Sequence, residues 1–453
     1  MNIENEENNL SLTKTVFLFL LLILSISPAF SQSDSFKEQD RILKYGLDTD
    51  VSLLIKKLLI QENDEHNETL MELYTRTQNY SLKDEILLFF TERKYESFKE
   101  IAIEELSKEF LPNSSALSLI HYVTSMNLTE SSDVLTVLMN GDNRPLIIAS
   151  VRGLGRLGLY ENGQAILEKM TTEDFSADYL GDFIWSLGEL RYSPSSPILL
   201  EKYEEASDQP IIRALIIEAL GKMKEESSLN IIVEGINDSN IRIKNASVKA
   251  IIEFGAESAR DTLISASRDN QSSTRMIAIE GLGKLKIVEG IPMLLYRAET
   301  DPDQSVRATA LDSINAIDIT QYTEVIKKIL IQKNLDPRTY GHIMKKDLKD
   351  SIIEITDSLL QRLDNEIENQ FSPFALIAAE LLANNKSDLF IEFSKIIAKS
   401  RNPKVVSLLF RGVGINYPEN ETNIYELWKN NSKTSREVLQ GIDSNLKRLT
   451  SPK

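Results

Sequence analysis

The chain has 453 residues, 42% of them apolar and 26% charged, with a formal net charge of −17. That composition suits a folded chain rather than a disordered one. The acidic excess argues against nucleic acid as a ligand, because binding it means neutralising phosphates. The absence of cysteine excludes disulfides, thiolate zinc sites and cysteine nucleophiles.

The first element is a targeting segment. Residues Val16 to Ile26 read VFLFLLLILSI, with Lys14 before them and Pro28, Ala29, Phe30 and Ser31 after them. The apolar run is shorter than the roughly 20 residues a spanning helix needs. Small residues at Ala29 and Ser31 fit a signal-peptidase cut after Ser31. Residues 1–31 are therefore expected to be a signal peptide, and the mature chain is expected to be periplasmic or secreted, with no membrane span after cleavage.

From residue 32 to 143 the pattern is helical and weakly repetitive. VSLLIKKLL (51–59) and EILLFFTERKYESFKEIAIEEL (85–106) resemble degenerate units, and YVTSMNLTESSDVLTVLMNGDN (122–143) shares the plan of 218–240. The plan becomes regular over 144–333. SVRGLGRLG (150–158), FIWSLGELR (183–191), IIEALGKMK (216–224), AIIEFGAES (250–258), AIEGLGKLK (278–286) and LDSINAIDI (311–319) align on Gly155, Gly188, Gly221, Gly255, Gly283 and Asn315. Each unit reads as an apolar helix ending at its anchor, a polar turn, a second apolar helix, and a turn rich in Asp, Asn, Ser and Pro. Glycine or asparagine at the anchor is expected to supply a left-handed helix cap, and the Asp and Ser clusters are N-cap formers. The second helices carry stripes such as Leu229, Ile232, Val233 and Ile236. One pair cannot bury two such faces, so the units must stack.

Residues 334–453 continue less regularly. Residues 334–372 break the register, as an irregular repeat or as a hinge between two solenoid segments. Within them DLKDSIIEITDSLLQRLDNEIEN (347–369) reads as one longer amphipathic helix, with Leu348, Ile352, Ile355, Leu359, Leu363 and Ile367 on a single stripe. ALIAAELLANNKSDLFIEFSKII (375–397) and VVSLLFRGVGINYPENETNIYELW (405–428) read as two further units, and SNLKRLTSPK (444–453) as a polar closing cap. The expected fold is all-α, a solenoid of about twelve stacked antiparallel helix pairs.

STRMIAIEGLGKLKIVEGIPMLL (273–295) and IIRALIIEALGKMKEESSLNIIV (211–233) carry an early Arg, Ala-rich middle positions and a Leu-Gly ending. In this they resemble HEAT repeats, in particular the bacterial kind found in phycobilisome lyases, with the best match over residues 144–317. The resemblance implies a superhelical α-solenoid with a concave binding face lined by the second helices. It also implies that Asp208, Asp238, Asp269 and Asp303, with Arg213, Arg242, Arg275 and Arg307, bridge successive turns as a ladder.

No chemistry-bearing constellation outweighs that reading. GLGRLG (153–158) matches G-x-G-x-x-G, but it falls in phase with Leu-Gly endings that lack the other glycines. DPDQS (301–305) starts like a calcium loop, yet Val306 stands where the loop needs glycine. His66, His121 and His342 are scattered. No catalytic residue, cofactor or metal is implied. The expected function is a monomeric scaffold for protein partners. Groove residues off the apolar stripes are its candidate contacts: Glu168, Lys169, Glu201, Lys202, Tyr203, Glu234, Tyr296, Arg297, Lys327 and Lys328. Tyr203, Tyr296 and Arg297 lead, since Tyr and Arg are enriched at hot spots. The resemblance keeps open a pigment carrier or lyase-like enzyme, and stacked repeats keep open a self-assembling envelope protein.

Overall fold

The computed structural model describes residues 32–172 and 175–450. The segment read as an export signal, residues 1–31, lies outside the described residues. All regular structure among the described residues is helical, so the all-α expectation holds. None of these helices is long and apolar enough to cross a membrane.

The chain divides into two compact units, 1–190 and 191–453. In the first, the opening helix Gln32–Tyr45 precedes four helix pairs, from Asp48–Ile60 with Asn67–Arg76 to Arg144–Leu157 with Asn162–Thr172; helix Ala177–Glu189 closes it. The second opens with Ser196–Glu205. Seven pairs follow, from Pro210–Met223 with Leu229–Gly235 to Pro403–Asn416 with Glu421–Lys429, and Arg436–Thr450 closes it. Within each unit, successive first helices pack on one another to form a layer, and the second helices lie alongside. The core runs between the two layers. Leu154, Ile166, Leu220, Ile232, Leu282 and Leu294 are fully buried, each worth about 1.5–3 kcal/mol by area removed from water.

Local chemistry explains the helix boundaries. Some starts are capped by Asn or Asp side chains: Asn240 accepts from the Arg242 N–H at 2.9 Å, Asp303 from the Ser305 N–H at 2.8 Å, and Asn402 from the Lys404 N–H at 2.9 Å. Most first helices stop at a left-handed residue. These are Glu62, Lys94, Asn127 and Gly158 in the first unit, and Arg191, Lys224, Gly255, Lys286 and Ser351 in the second. The residue after the turn often donates back across it, as from the Tyr95 N–H to the Phe90 carbonyl at 2.9 Å and from the Ile287 N–H to the Leu282 carbonyl at 3.0 Å.

The anchor glycines therefore play a different part from the one expected. Gly155, Gly221 and Gly283 lie inside their helices, three residues before the left-handed turn. A Cβ on Gly221 would stand 2.5 Å from Ala250 Cβ, and one on Gly283 would stand 2.6 Å from Ser313 Oγ. Gly155 meets Ser186 in the same way. The repeat keeps glycine there so that consecutive first helices can touch backbone to backbone. Only Gly255, at φ +95°, is an anchor that needs glycine for its own conformation. GLGRLG ends helix Arg144–Leu157, with Gly158 as its left-handed cap.

The segment 347–369 is also different. Two helices, Pro337–Asp350 and Ile353–Glu366, meet at Ser351, whose φ is +53°. Asp347 makes the break. Its carboxylate accepts from the Ile352 N–H at 3.0 Å and from the Thr356 hydroxyl at 2.7 Å. The stripe residues Ile355, Leu359 and Leu363 are still buried, so the stripe is real although the helix carrying it is broken.

Candidate partner-binding face

Among the solvent-facing positions of the second helices one recurs in register, ten residues after the left-handed turn. In the first unit it holds Glu72, Glu104, Val137 and Glu168, and in the second Glu201, Glu234, Ser265, Tyr296 and Gln361, all exposed. The helix Ile319–Leu330 follows its partner directly through Asp318, without a left-handed turn, and offers Lys328. Glu168, Glu201, Glu234, Tyr296 and Lys328 thus share one structural position. Tyr296 is 57% exposed, which leaves most of its ring open to a partner. Val233, counted into an apolar stripe from sequence, is exposed beside Glu234.

The neighbouring candidates serve the fold. Lys169 is buried, with Nζ 3.4 Å from the Gly141 carbonyl. Arg297 donates from Nε to the Ser267 carbonyl at 2.9 Å and from Nη1 to Asp301 Oδ2 at 3.3 Å. Arg362, which the sequence did not mark, donates to the Gln332 carbonyl at 2.8 Å in the same manner. Each reaches back about one repeat to the end of the preceding second helix, where carbonyls lack partners and the helix dipole is negative. Tyr203 is buried, and the Arg213 guanidinium lies 4.0 Å from its ring centre. Burial raises the Tyr203 phenol above its ordinary range. Lys202 is half-buried; Lys327 is half-exposed and lies 3.5 Å from Glu324.

A charge ladder exists in the second unit, but its rungs are not the expected set. Lys244, Asp301 and Asp336 join Asp269, Arg275 and Arg307, while Asp238 and Asp303 accept from backbone N–H groups of their own turns and Asp208 forms no rung. Lys244 reaches Asp269 at 2.8 Å, Arg275 grips Asp301 at 2.7 and 2.8 Å, and Arg307 reaches Asp336 at 3.1 Å. Arg307 also donates to the Asp301 carbonyl at 2.6 Å. Asp301 is 1% exposed, and two guanidiniums meet its carboxylate. Arg242 is exposed, and Arg213 stacks on Tyr203 instead. Beside the last rung opens a cleft of about 330 Å³ bordered by Glu299, Asp301, Arg307, Gln332, Asn334 and Asp336. Arg307 already joins Asp301 to Asp336 there, so the cleft reads as part of the ladder. Among the described residues no group of three or more His, Asp and Glu could hold a metal ion.

A family model described as Spirochaete HEAT repeat protein matches residues 43–438. A search of the curated proteins finds no match. Solved structures with a similar trace include the complex of CpcE and CpcF of phycocyanin lyase from Nostoc sp. PCC7120. It is 17% identical with TM-score 0.36, covering 50% of this chain and 91% of that one. Another is Kap121p, 12% identical with TM-score 0.34, covering 91% of this chain and 53% of that one. Human deoxyhypusine hydroxylase is 12% identical with TM-score 0.26, covering 61% and 98%.

Proposed function

Since the chain belongs to the spirochaete HEAT repeat proteins, we propose that it is an exported scaffold that holds a protein partner along its second helices and performs no catalysis. The recurring exposed position carries this reading. A side chain exposed at the same place in unit after unit, beside the buried stripe of its helix, contributes to a row of contacts that a long partner can follow. Tyr296 is the row's aromatic anchor, and such residues dominate binding energy where they become buried. The acidic members Glu168, Glu201 and Glu234 favour a partner with basic side chains. Export rests on the apolar run Val16 to Ile26 and the small residues Ala29 and Ser31.

The test is a crosslinking pull-down with the chain from residue 32, against envelope and secreted fractions of its own source. Tyr296→Ala is expected to lower partner recovery about tenfold or more, the scale of a hot-spot truncation. It should leave the thermal transition unchanged, because its ring is mostly in water. Undiminished recovery with Tyr296→Ala and with Glu234→Ala would remove this face from the proposal.

A further inference from the structure

We propose that the opening helix Gln32–Tyr45 is a latch on the first helix pair and that protonation of His66 releases it. His66 stands immediately before helix Asn67–Arg76, makes no side-chain bond to its first turn, and is 1% exposed. Its ring stacks on Phe36 of the opening helix, with centroids 4.4 Å apart and planes 12° from parallel. Nε2 lies 3.0 Å from Gln39 Oε1, also on the opening helix. Nδ1 is buried and has no hydrogen-bond partner.

That arrangement suits only the neutral imidazole. With the proton on Nε2, the ring donates to Gln39 and Nδ1 is a bare lone pair. A second proton would place an N–H and a positive charge where no acceptor or water can meet them, which is a costly burial. The acidic groups nearest the ring are Asp40 on the opening helix and Glu65 beside His66. Both favour the charged form, but burial outweighs them and holds the imidazole below its ordinary range. Asp40 is already engaged by Lys44 at 2.9 Å and by the Thr69 hydroxyl at 2.8 Å. Lys37, Glu38 and Arg41 on the opening helix are exposed, as are Glu68 and Glu72 on the other helix.

The sign follows. A histidine whose folded pKa is lowered contributes docking energy that is fully present above its unfolded value. The contribution is lost as pH falls below that value, because the undocked state takes up the proton. The remaining attachments of the opening helix are few: buried Leu43, the Thr69 bond, and Arg76 Nη2 donating to the Leu43 and Lys44 carbonyls at 2.9 Å. Release would withdraw Phe36 and Leu43 from the first pair.

Hydrogen exchange on the full chain at about pH 7.5 and about pH 5.5, corrected for intrinsic rates, tests the latch. Amides of residues 36–45 are expected to lose up to about tenfold of their protection at the lower pH, the ceiling for one linked proton, while helix Tyr80–Glu92 keeps its own. In His66→Gln, which is neutral and can still hydrogen-bond, the two pH values should give equal protection. Full protection of residues 36–45 in the unmodified chain at the lower pH would overturn the proposal. So would an undiminished pH response in His66→Gln. If that variant loosens the helix at both pH values, the His66 imidazole titration in the unmodified chain decides. A midpoint coincident with loss of protection supports the latch, and a separate midpoint overturns it.

Discussion

Gly158 and Gly221 look alike in the sequence, and the structure holds them for opposite reasons. A Cβ on Gly158 would meet nothing within 4 Å, but the residue sits at φ +69°. Gly221 is helical, and a Cβ there would press on Ala250 of the next first helix. Gly158→Ala should therefore cost about 1 kcal/mol, the conformational penalty alone. Gly221→Ala should cost about 1–3 kcal/mol, since two helices must part. Urea unfolding of the two variants checks this, and equal losses would refute the close-approach role. The glycine period was legible because it recurs; its cause was not, because a turn and a helix contact both select glycine. The turn residues Lys94, Lys224 and Lys286 escaped notice because polar side chains are ordinary in turns, whatever their φ.

Elements were legible wherever apolar spacing alone decides them. Of the stripe from Leu348 to Ile367 all but the half-buried Ile352 is buried, yet the break within it was not seen. A periodic stripe continues across two helices when a single left-handed residue resets the direction, and Asp347 supplies the bonds that make Ser351 that residue. Asp347 is 2% exposed, and burial raises its pKa against the pull of Thr356 and Ile352. A carboxyl with a raised folded pKa weakens the fold as pH climbs from its unfolded value through the folded one. Asp347→Asn keeps an oxygen for the Ile352 N–H and removes the charge. Its stability relative to the unmodified chain should improve between about pH 4 and about pH 7, read by thermal melts; a decline over that interval would contradict the assignment. Lys169 and Arg297 teach a related lesson. Counting off the stripe placed them on an open face, but a long cation beside a neighbour's helix end folds back onto its carbonyls.

For the molecule as a whole, repeats contact their neighbours and little else, so damage should stay local. Asp301→Ala leaves the Arg275 guanidinium buried without its carboxylate, a loss of about 3–5 kcal/mol for a broken buried pair. Hydrogen exchange should then quicken in helices Ser272–Lys284 and Gln304–Ile317, with the helices of residues 48–172 unchanged. Equal quickening throughout would mean that the array unfolds as one body.

The sequence by itself determined that this chain is a HEAT-type stack of helix pairs, because period, stripe and cap chemistry are local properties that survive without a partner. It also marked the second helices as the face to inspect. Tertiary structure alone decided which residues on that face stay open. Glu168, Glu201, Glu234 and Tyr296 point to water, while Lys169, Tyr203 and Arg297 are taken up by the adjoining repeat. That choice depends on what the adjoining repeat brings alongside, Arg213 of the next helix for Tyr203 and a helix end about one repeat back for Lys169 and Arg297, and no helical period registers it.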